Sequence, residues 1–174
     1  MMAAPPAYEY SRLESPNSIR LLMIEKVELA RRAEEPSDPC CWIQHFSLDN
    51  APPYRALSYA WGDMETKPIY LNDQKVLVRK NLWQALWYIR PINSGVPNSN
   101  IGENVTAENT TWIWIDALCI DQQNNSERNH QVRVMGKIYE MAVEVLVWLG
   151  CSAHNSDGPA IHRAMKGLNE LAEV

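Results

Sequence analysis

Three compact apolar runs, separated by stretches of helical periodicity, most strongly constrain the fold of this 174-residue chain. The runs cover residues 54–61, 112–120 and 143–149, and helical spacing of apolar residues covers 81–89 and 126–142. Apolar strands that alternate with amphipathic helices are typical of a sheet covered on both sides. The pattern therefore predicts an α/β fold with a mostly parallel sheet and helices on both faces.

Two further strands and a hairpin are predicted outside the alternating part. Residues 19–27 and 41–48 have strand-like apolar runs, which we expect to form an N-terminal antiparallel extension. Residues 69–71 and 76–78 flank a polar segment that begins with Asn72 and Asp73. Because Asn and Asp tolerate left-handed conformations, this segment predicts a β-hairpin.

The remaining boundaries follow from turn and capping residues. Residues 1–17 are rich in Pro, Ser and Ala and predict an extended lead-in, and Asn81 is the expected N-cap of the helix that Pro91 ends. Residues 92–111 are rich in Asn and predict a long loop. Residues 151–174 predict a C-terminal amphipathic helix, which we expect to continue in a longer protein. The main domain is then 18–150.

Composition excludes several classes of protein. The chain has 16 basic and 21 acidic side chains and a formal charge of −5, which argues against a nucleic-acid partner. No apolar run approaches the roughly 20 residues that span a bilayer, and the N-terminus has no secretory signal, so we expect a cytoplasmic protein without a membrane partner. The 4 cysteines lack the spacing of a zinc site, so reduced thiols and no metal are expected.

Candidate functional residues follow the predicted parallel strands. Ligands of open α/β sheets bind beyond the carboxyl ends of the strands, where this sequence has Trp61, Gly62 and Asp63 and, further along, Glu127 and Arg128. The Trp61 indole could stack on a planar ring, since Gly62 allows close approach to the backbone. Equally, Trp61 could be a core residue before a turn.

Two carboxylates have both a chemical and a structural interpretation. Glu127 in a first helical turn could do acid/base or electrostatic work, or it could complete a capping box with Asn124. Asp116 lies inside an apolar run, where a carboxylate needs a partner such as Arg128 or a backbone N–H. A buried structural hydrogen bond and a catalytic role both fit Asp116. Dinucleotide, P-loop and hydrolase-elbow motifs are absent.

Three sequence blocks resemble the conserved motifs of the fungal heterokaryon incompatibility (HET) domain. The first is YRALSYAWGD at 54–63, the second is VRKNLWQAL at 78–86, and the third begins with WIDALCIDQ at 114–122 and continues to Gly150. The resemblance implies a filamentous-fungal effector of nonself recognition that triggers programmed cell death. HET domains are distantly similar to TIR domains, which implies a TIR-like or flavodoxin-like sheet.

The resemblance implies two alternative mechanisms. Some TIR domains hydrolyse NAD through one glutamate, and by position that residue is Glu127 here. NAD would then be a substrate and not a cofactor, with Tyr59 or Trp61 stacking on its base; the other expected substrate-binding residues are Gly62, Asp63, Asp116 and Arg128. In the alternative, the domain is a non-enzymatic signalling module that acts by self-association and by recruiting another incompatibility protein.

Overall fold

The computed structural model describes residues 8–25, 27–28, 38–90, 92–93, 112–150 and 161–165. The helices are α1 (Lys80–Ile89), α2 (Asp116–Cys119) and α3 (Asn125–Met141). The strands are β1 (Ser18–Ile24), β2 (Val27–Glu28), β3 (Cys40–Ser47), β4 (Tyr54–Tyr59), β5 (Thr66–Leu71), β6 (Gln74–Arg79), β7 (Ile92–Asn93), β8 (Trp112–Trp114), β9 (Glu144–Trp148) and β10 (Ile161–Met165).

The main sheet is mixed. Its 8 strands have the order β10-β9-β4-β8-β1-β3-β5-β6. Strand β4 pairs in parallel with β8 and β9, and β3 pairs in parallel with β5, while the other four pairings are antiparallel. The prediction of an α/β fold with an antiparallel extension is thus confirmed, but the prediction of a mostly parallel sheet is wrong. Strands β1 and β3 do not stand apart as an appendage, because β1 pairs directly with β8.

Helices cover both faces of this sheet. The Tyr54 hydroxyl of β4 donates a hydrogen bond of 2.6 Å to the Ile138 carbonyl of α3. Tyr59 lies five residues along the same strand and therefore on the opposite face, where its pairing partner Trp148 lies 5.5 Å from the Tyr88 ring of α1. Buried side chains of both helices and of the central strands form one hydrophobic core.

The predicted hairpin is confirmed. Strands β5 and β6 pair antiparallel from Thr66 with Arg79 to Leu71 with Gln74. Asn72 and Asp73 connect them with φ angles of 46° and 62°, which is the left-handed geometry of a two-residue hairpin turn.

The strand predicted over residues 112–120 ends early. Strand β8 stops at Trp114, and residues Asp116–Cys119 form the helical turn α2, so Asp116 does not lie inside a strand. The Asp116 carboxylate instead accepts a hydrogen bond of 2.7 Å from the Ala117 N–H. Because apolar residues occupy nearly every position of this run, its pattern does not distinguish a strand from a short helix.

The predicted C-terminal helix is also corrected where the structure describes it. Residues Ile161–Met165 form β10, which pairs antiparallel with β9. Pairing satisfies the backbone groups that β9 would otherwise present at an open sheet edge. The rest of 151–174 and most of the predicted loop 92–111 lie outside the described residues, and Ile92–Asn93 pair in parallel with Val27–Glu28.

Residues 8–17 contain neither helix nor strand. In the described part of the chain, no helix has the length and apolar character needed to cross a bilayer.

Candidate functional site

The three strands β4, β8 and β9 bring their carboxyl ends to one edge of the sheet. Strand β4 comes first in the chain but lies between the other two, so the chain leaves β4 toward one side and later returns to the other. In open α/β sheets this reversal point is where ligands bind. Tyr59 and Trp61 follow from β4, Asp116 from β8, and Gly150 from β9.

Trp61 and Asp116 follow two neighbouring strands, β4 and β8, that end at this reversal point. The Arg79 guanidinium lies 5.3 Å from the centre of the Trp61 ring. Trp61 is nevertheless 46% exposed. The indole is therefore fixed by neighbours and still open to solvent, which excludes the interpretation of Trp61 as a buried core residue.

The charge of the Asp116 carboxylate affects two tyrosines. Burial raises the pKa of Asp116, and burial together with the Asp116 charge raises the pKa of Tyr59 above its ordinary value and that of Tyr139 to about 12. The Tyr139 hydroxyl donates a hydrogen bond of 2.9 Å to the Leu57 carbonyl. The last β4–β8 pair is Ala56 with Trp114, and Leu57 is the next residue of β4. The Tyr139 hydroxyl therefore donates a hydrogen bond to β4 just beyond the point where β8 ends.

Asn81 is hydrogen-bonded both to the residue after β4 and to the last residue of β9. Its Nδ2 donates to the Ala60 carbonyl at 2.5 Å, and its Oδ1 accepts from Trp148 Nε1 at 2.8 Å. A Cβ atom on Gly62, which has φ +68°, would lie 2.9 Å from the Asn81 Cβ. The prediction of Asn81 as a helix N-cap is wrong: Arg79 holds that position, and the Asn81 side chain is used by these tertiary contacts.

Glu127 lies in a second cluster, centred on Arg20 of β1. Arg20 Nη1 donates to Glu127 Oε1 at 2.5 Å and Nη2 donates to Oε2 at 3.0 Å, while the Asp121 N–H donates to Oε1 at 2.8 Å. The Glu127 N–H also donates to the Asn124 side chain, which confirms Asn124 as the N-cap. The predicted capping box is not completed, because the Asn124 N–H donates to the Asp121 carbonyl and not to the Glu127 carboxylate. Burial alone would raise the pKa of Glu127, but the Arg20 and Asp121 hydrogen bonds hold it below its ordinary value.

The Arg20 guanidinium connects four parts of the chain. It donates hydrogen bonds to the Cys119 carbonyl at 3.1 Å, to the Ser11 carbonyl at 2.7 Å and to His45 Nε2 at 3.2 Å. The Tyr10 ring lies 4.9 Å from its central carbon atom. This one side chain therefore holds the lead-in, β3, the end of α2 and the start of α3 against β1.

The structure thus divides the predicted site residues into two groups. Tyr59, Trp61, Gly62 and Asp116 belong to the reversal point, where the Gly62 carbonyl accepts a hydrogen bond of 2.9 Å from Arg79. The partners of Glu127 lie on β1 and in the 121–124 turn. The other two predicted site residues, Asp63 and Arg128, are exposed. Arg128 donates a hydrogen bond of 3.4 Å to the Gln122 carbonyl.

Sequence reasoning missed Arg20, Arg79 and Asn81. A signal existed for Arg20, because a charged residue inside the apolar run of β1 must find partners when it is buried. No local pattern indicates the contacts of Asn81, since they join residues far apart in the chain.

Comparisons with known proteins identify the family. A family model described as "Heterokaryon incompatibility protein (HET)" matches residues 54–172. This chain belongs to the HET family. It is 31% identical over 146 residues to "Heterokaryon incompatibility protein 6, OR allele" of Neurospora crassa, a match that covers 79% of this chain and 19% of that protein. No solved structure matches the chain.

The HET match includes the first cluster and part of the second. Residues 54–172 contain the whole reversal point from Tyr59 to Gly150 and also Glu127. Arg20, the partner of Glu127, lies before the matched segment. The chain spans only about 19% of the length of the Neurospora relative.

Proposed function

We propose that this HET domain acts in the fungal cytoplasm as an effector of nonself recognition and triggers programmed cell death by self-association and recruitment of another incompatibility protein. Membership of the HET family and the printed name of the Neurospora relative support the role in incompatibility. The arrangement of Glu127 supports the non-enzymatic mechanism over NAD hydrolysis.

The observation that carries this choice is the buried Arg20–Glu127 pair. Both carboxylate oxygens of Glu127 accept hydrogen bonds from Arg20, and the Glu127 side chain is 9% exposed. A glutamate that stabilises a positively charged transition state must present an oxygen and an uncompensated charge to the substrate. Glu127 offers neither while Arg20 is bound, and its contacts instead join α3 to β1.

The exposed face of α3 supports assembly as the mode of action. Val132 is 53% exposed in the middle of this helix, and Gly136, one turn later, has open space around its Cα. A glycine beside an apolar side chain lets a second helix approach the backbone closely. We assign self-association to this face.

Cell death in a filamentous-fungal host tests the proposal. Val132→Glu places a charge on the exposed face of α3 and is expected to abolish both killing and self-association, whereas Gln74→Glu adds the same charge at the exposed start of β6 and is expected to keep both. Retained killing by the Val132→Glu protein would contradict the assembly mechanism.

NAD hydrolysis through Glu127 is tested with the same proteins. We expect purified protein at assembling concentration to release no nicotinamide from NAD, and Glu127→Gln to keep killing in proportion to its folded amount. Because this change leaves Arg20 without a counter-charge, the double variant Arg20→Met with Glu127→Met serves as a charge-free second test. Release of nicotinamide by the unaltered protein, lost in folded Glu127→Gln, would replace the signalling mechanism with the enzymatic one.

A further inference from the structure

One edge of the main sheet ends in a strand that is paired on one side. Strand β6 is last in the sheet order, and β5 is its one pairing partner among the described strands. A strand at an open edge presents backbone N–H and C=O groups to which an extended segment of another protein can add. None of the residues of the α3 face that we assign to self-association belongs to this edge.

The register of the hairpin shows which backbone groups of β6 point outward. The residues that flank a two-residue turn form a hydrogen-bonded pair, and every second pair along the hairpin is then not hydrogen-bonded. Tyr70 with Lys75 and Pro68 with Leu77 are pairs of this second kind. Pro68 fits such a position because proline has no N–H, and the Tyr70 N–H donates to the Pro39 carbonyl at 2.9 Å. The backbone groups of Lys75 and Leu77 therefore point away from the hairpin.

Exposed apolar side chains lie on one face of the sheet beside this edge. Leu77 is 47% exposed, Tyr70 39% and Trp42 37%. Tyr70 pairs with Lys75 on one side and with Cys40 on the other, and Leu77 and Trp42 lie two residues beyond these partners on the same face. The three side chains thus follow a diagonal across β3, β5 and β6. Grouped apolar side chains that reach an open strand edge favour a protein-binding surface.

Two positive charges flank Leu77 along β6. Lys75 and Arg79 lie two residues before and after Leu77 and therefore on its face of the sheet. Among the described residues, neither has a carboxylate within ion-pair distance. The Arg79 guanidinium contacts the Gly62 carbonyl and the Trp61 ring, which are uncharged. These cations stand without counter-ions in a chain whose formal charge is −5.

We propose that the β6 edge binds an extended acidic segment of a partner protein by strand addition. The segment pairs antiparallel with β6, its central apolar residue faces Leu77, and the acidic residues two positions before and after it face Arg79 and Lys75. The central residue and Leu77 exchange both of their backbone hydrogen bonds. The inference rests on the proposed recruitment of another incompatibility protein and specifies the segment of that protein which binds.

The same charges disfavour a second copy of this chain at the edge. Two β6 strands that align their Leu77 side chains would place Lys75 of one copy opposite Arg79 of the other, and this contact would occur twice. Like charges directly opposite each other destabilise a strand pair, and a lysine on an edge strand discourages pairing between identical edges. An acidic segment gains from the charges that a second copy must overcome.

Fluorescence polarisation with a labelled peptide and the purified full chain tests the proposal. The probe is Thr-Glu-Thr-Val-Thr-Glu-Thr with blocked ends, which has a glutamate two residues before and after the valine. We expect this peptide to bind saturably, and the matched peptide with lysine at both glutamate positions not to bind.

Methylation of single peptide nitrogens tests the backbone pairing without altering the protein. Methylation of the valine nitrogen removes the N–H that faces Leu77 and should weaken binding by at least about fivefold. Methylation of the next threonine nitrogen, whose N–H points away from β6, should change the affinity by less than about twofold.

A charge exchange at Lys75 separates loss of binding from loss of folding. Lys75→Glu should weaken binding of the glutamate peptide by at least about fivefold. A peptide with lysine in place of its second glutamate should bind this variant more tightly than it binds the unaltered chain, which an unfolded protein could not do. Gln74→Glu adds the same charge on the opposite face of β6 and should leave the affinity for the glutamate peptide within about twofold.

The proposal fails if the lysine peptide binds as well as the glutamate peptide, if the two methylations have equal effects, or if Lys75→Glu and Gln74→Glu weaken binding equally. It also fails if no peptide binds. In the fungal host, Lys75→Glu should keep self-association and lose killing, and retained killing would overturn the role of this edge in recruitment. Retained killing by Val132→Glu contradicts only the assembly mechanism, so the two proposals are tested separately.

Discussion

Arg20 and Glu127 form a buried, two-pronged ion pair that joins the first strand of the sheet to the longest described helix. The arginine side chain is 1% exposed and the glutamate side chain 9%. An arginine with its counter-ion on one side and backbone carbonyls on the others has most of its donors satisfied without water. The pair therefore holds α3 in place against β1. Removing one partner leaves the other as a buried charge without a counter-ion.

Glu127→Gln is expected to lower the free energy of unfolding by about 3 kcal/mol, the range typical of breaking a buried pair from one side. Urea unfolding at neutral pH measures this change. Lys137→Met, which breaks an ion pair to Asp49 whose side chains are 51% and 60% exposed, is the matched control and should lower the free energy of unfolding far less, because solvent screens an exposed pair. Equal losses in the two variants would show that Arg20 does not depend on Glu127 for its charge balance.

Acid should destabilise the fold in two steps. Burial and the Arg20 charge lower the pKa of His45 below its ordinary value of 6.5, so the folded state binds fewer protons than the unfolded state and stability falls as pH drops from about 6.5. The pKa of Glu127 is lowered from 4.5, which adds a second loss below about pH 4.5. Unfolding free energies measured between pH 7.5 and pH 5 test the first step.

His45→Gln isolates the histidine contribution. Glutamine can accept the Arg20 Nε hydrogen bond but does not titrate, so the fall in stability between about pH 7 and pH 5 should become shallower. An unchanged slope would assign the loss to other groups.

Much of the fold was predictable from periodicity and turn chemistry. Alternating apolar residues located β3, β5 and β6, the Asn72–Asp73 pair indicated the hairpin, and Asn124 marked the start of α3. The prediction failed where a nearly continuous apolar run has no periodicity, as at Asp116–Cys119. There the competition between strand and helix is decided by tertiary contacts, such as the 3.1 Å hydrogen bond from Arg20 Nη1 to the Cys119 carbonyl.

The candidate site was predictable in part, for a comparable reason. The rule that ligand sites lie beyond parallel strand ends located Trp61 and Gly62, because strand direction follows from the alternation of strands and helices. It did not locate Asp116, which was predicted inside a strand. The partner of Glu127 was not predictable, since Arg20 lies 107 residues earlier in the chain. A capping residue such as Asn81 was misassigned because its position predicts a local contact, whereas its side chain joins β4 to β9.

Gly62→Ala should destabilise the domain by at least about 1 kcal/mol, since an L-residue at φ +68° is strained and its Cβ would lie 2.9 Å from the Asn81 Cβ. Thermal and urea unfolding measure the loss. Gly136→Ala is the matched control: no atom lies within 4 Å of the new Cβ in the middle of α3, so the substitution should stabilise by about 0.5–1 kcal/mol. A Gly62→Ala protein as stable as the unaltered chain would mean that the loop after β4 can move away from Asn81.

The two turn residues of the β5–β6 hairpin should respond to glycine in opposite directions. Asp73 has φ 62°, where glycine is unstrained, so Asp73→Gly is expected to raise the free energy of unfolding by about 0.5 kcal/mol. Asn72 has φ 46°, but its side chain accepts a hydrogen bond from the Ile43 N–H at 3.0 Å and donates one to the Tyr8 hydroxyl at 2.8 Å. Asn72→Gly should therefore lower the free energy by about 1 kcal/mol, and a gain from both substitutions in urea unfolding would show that these contacts do not stabilise the lead-in.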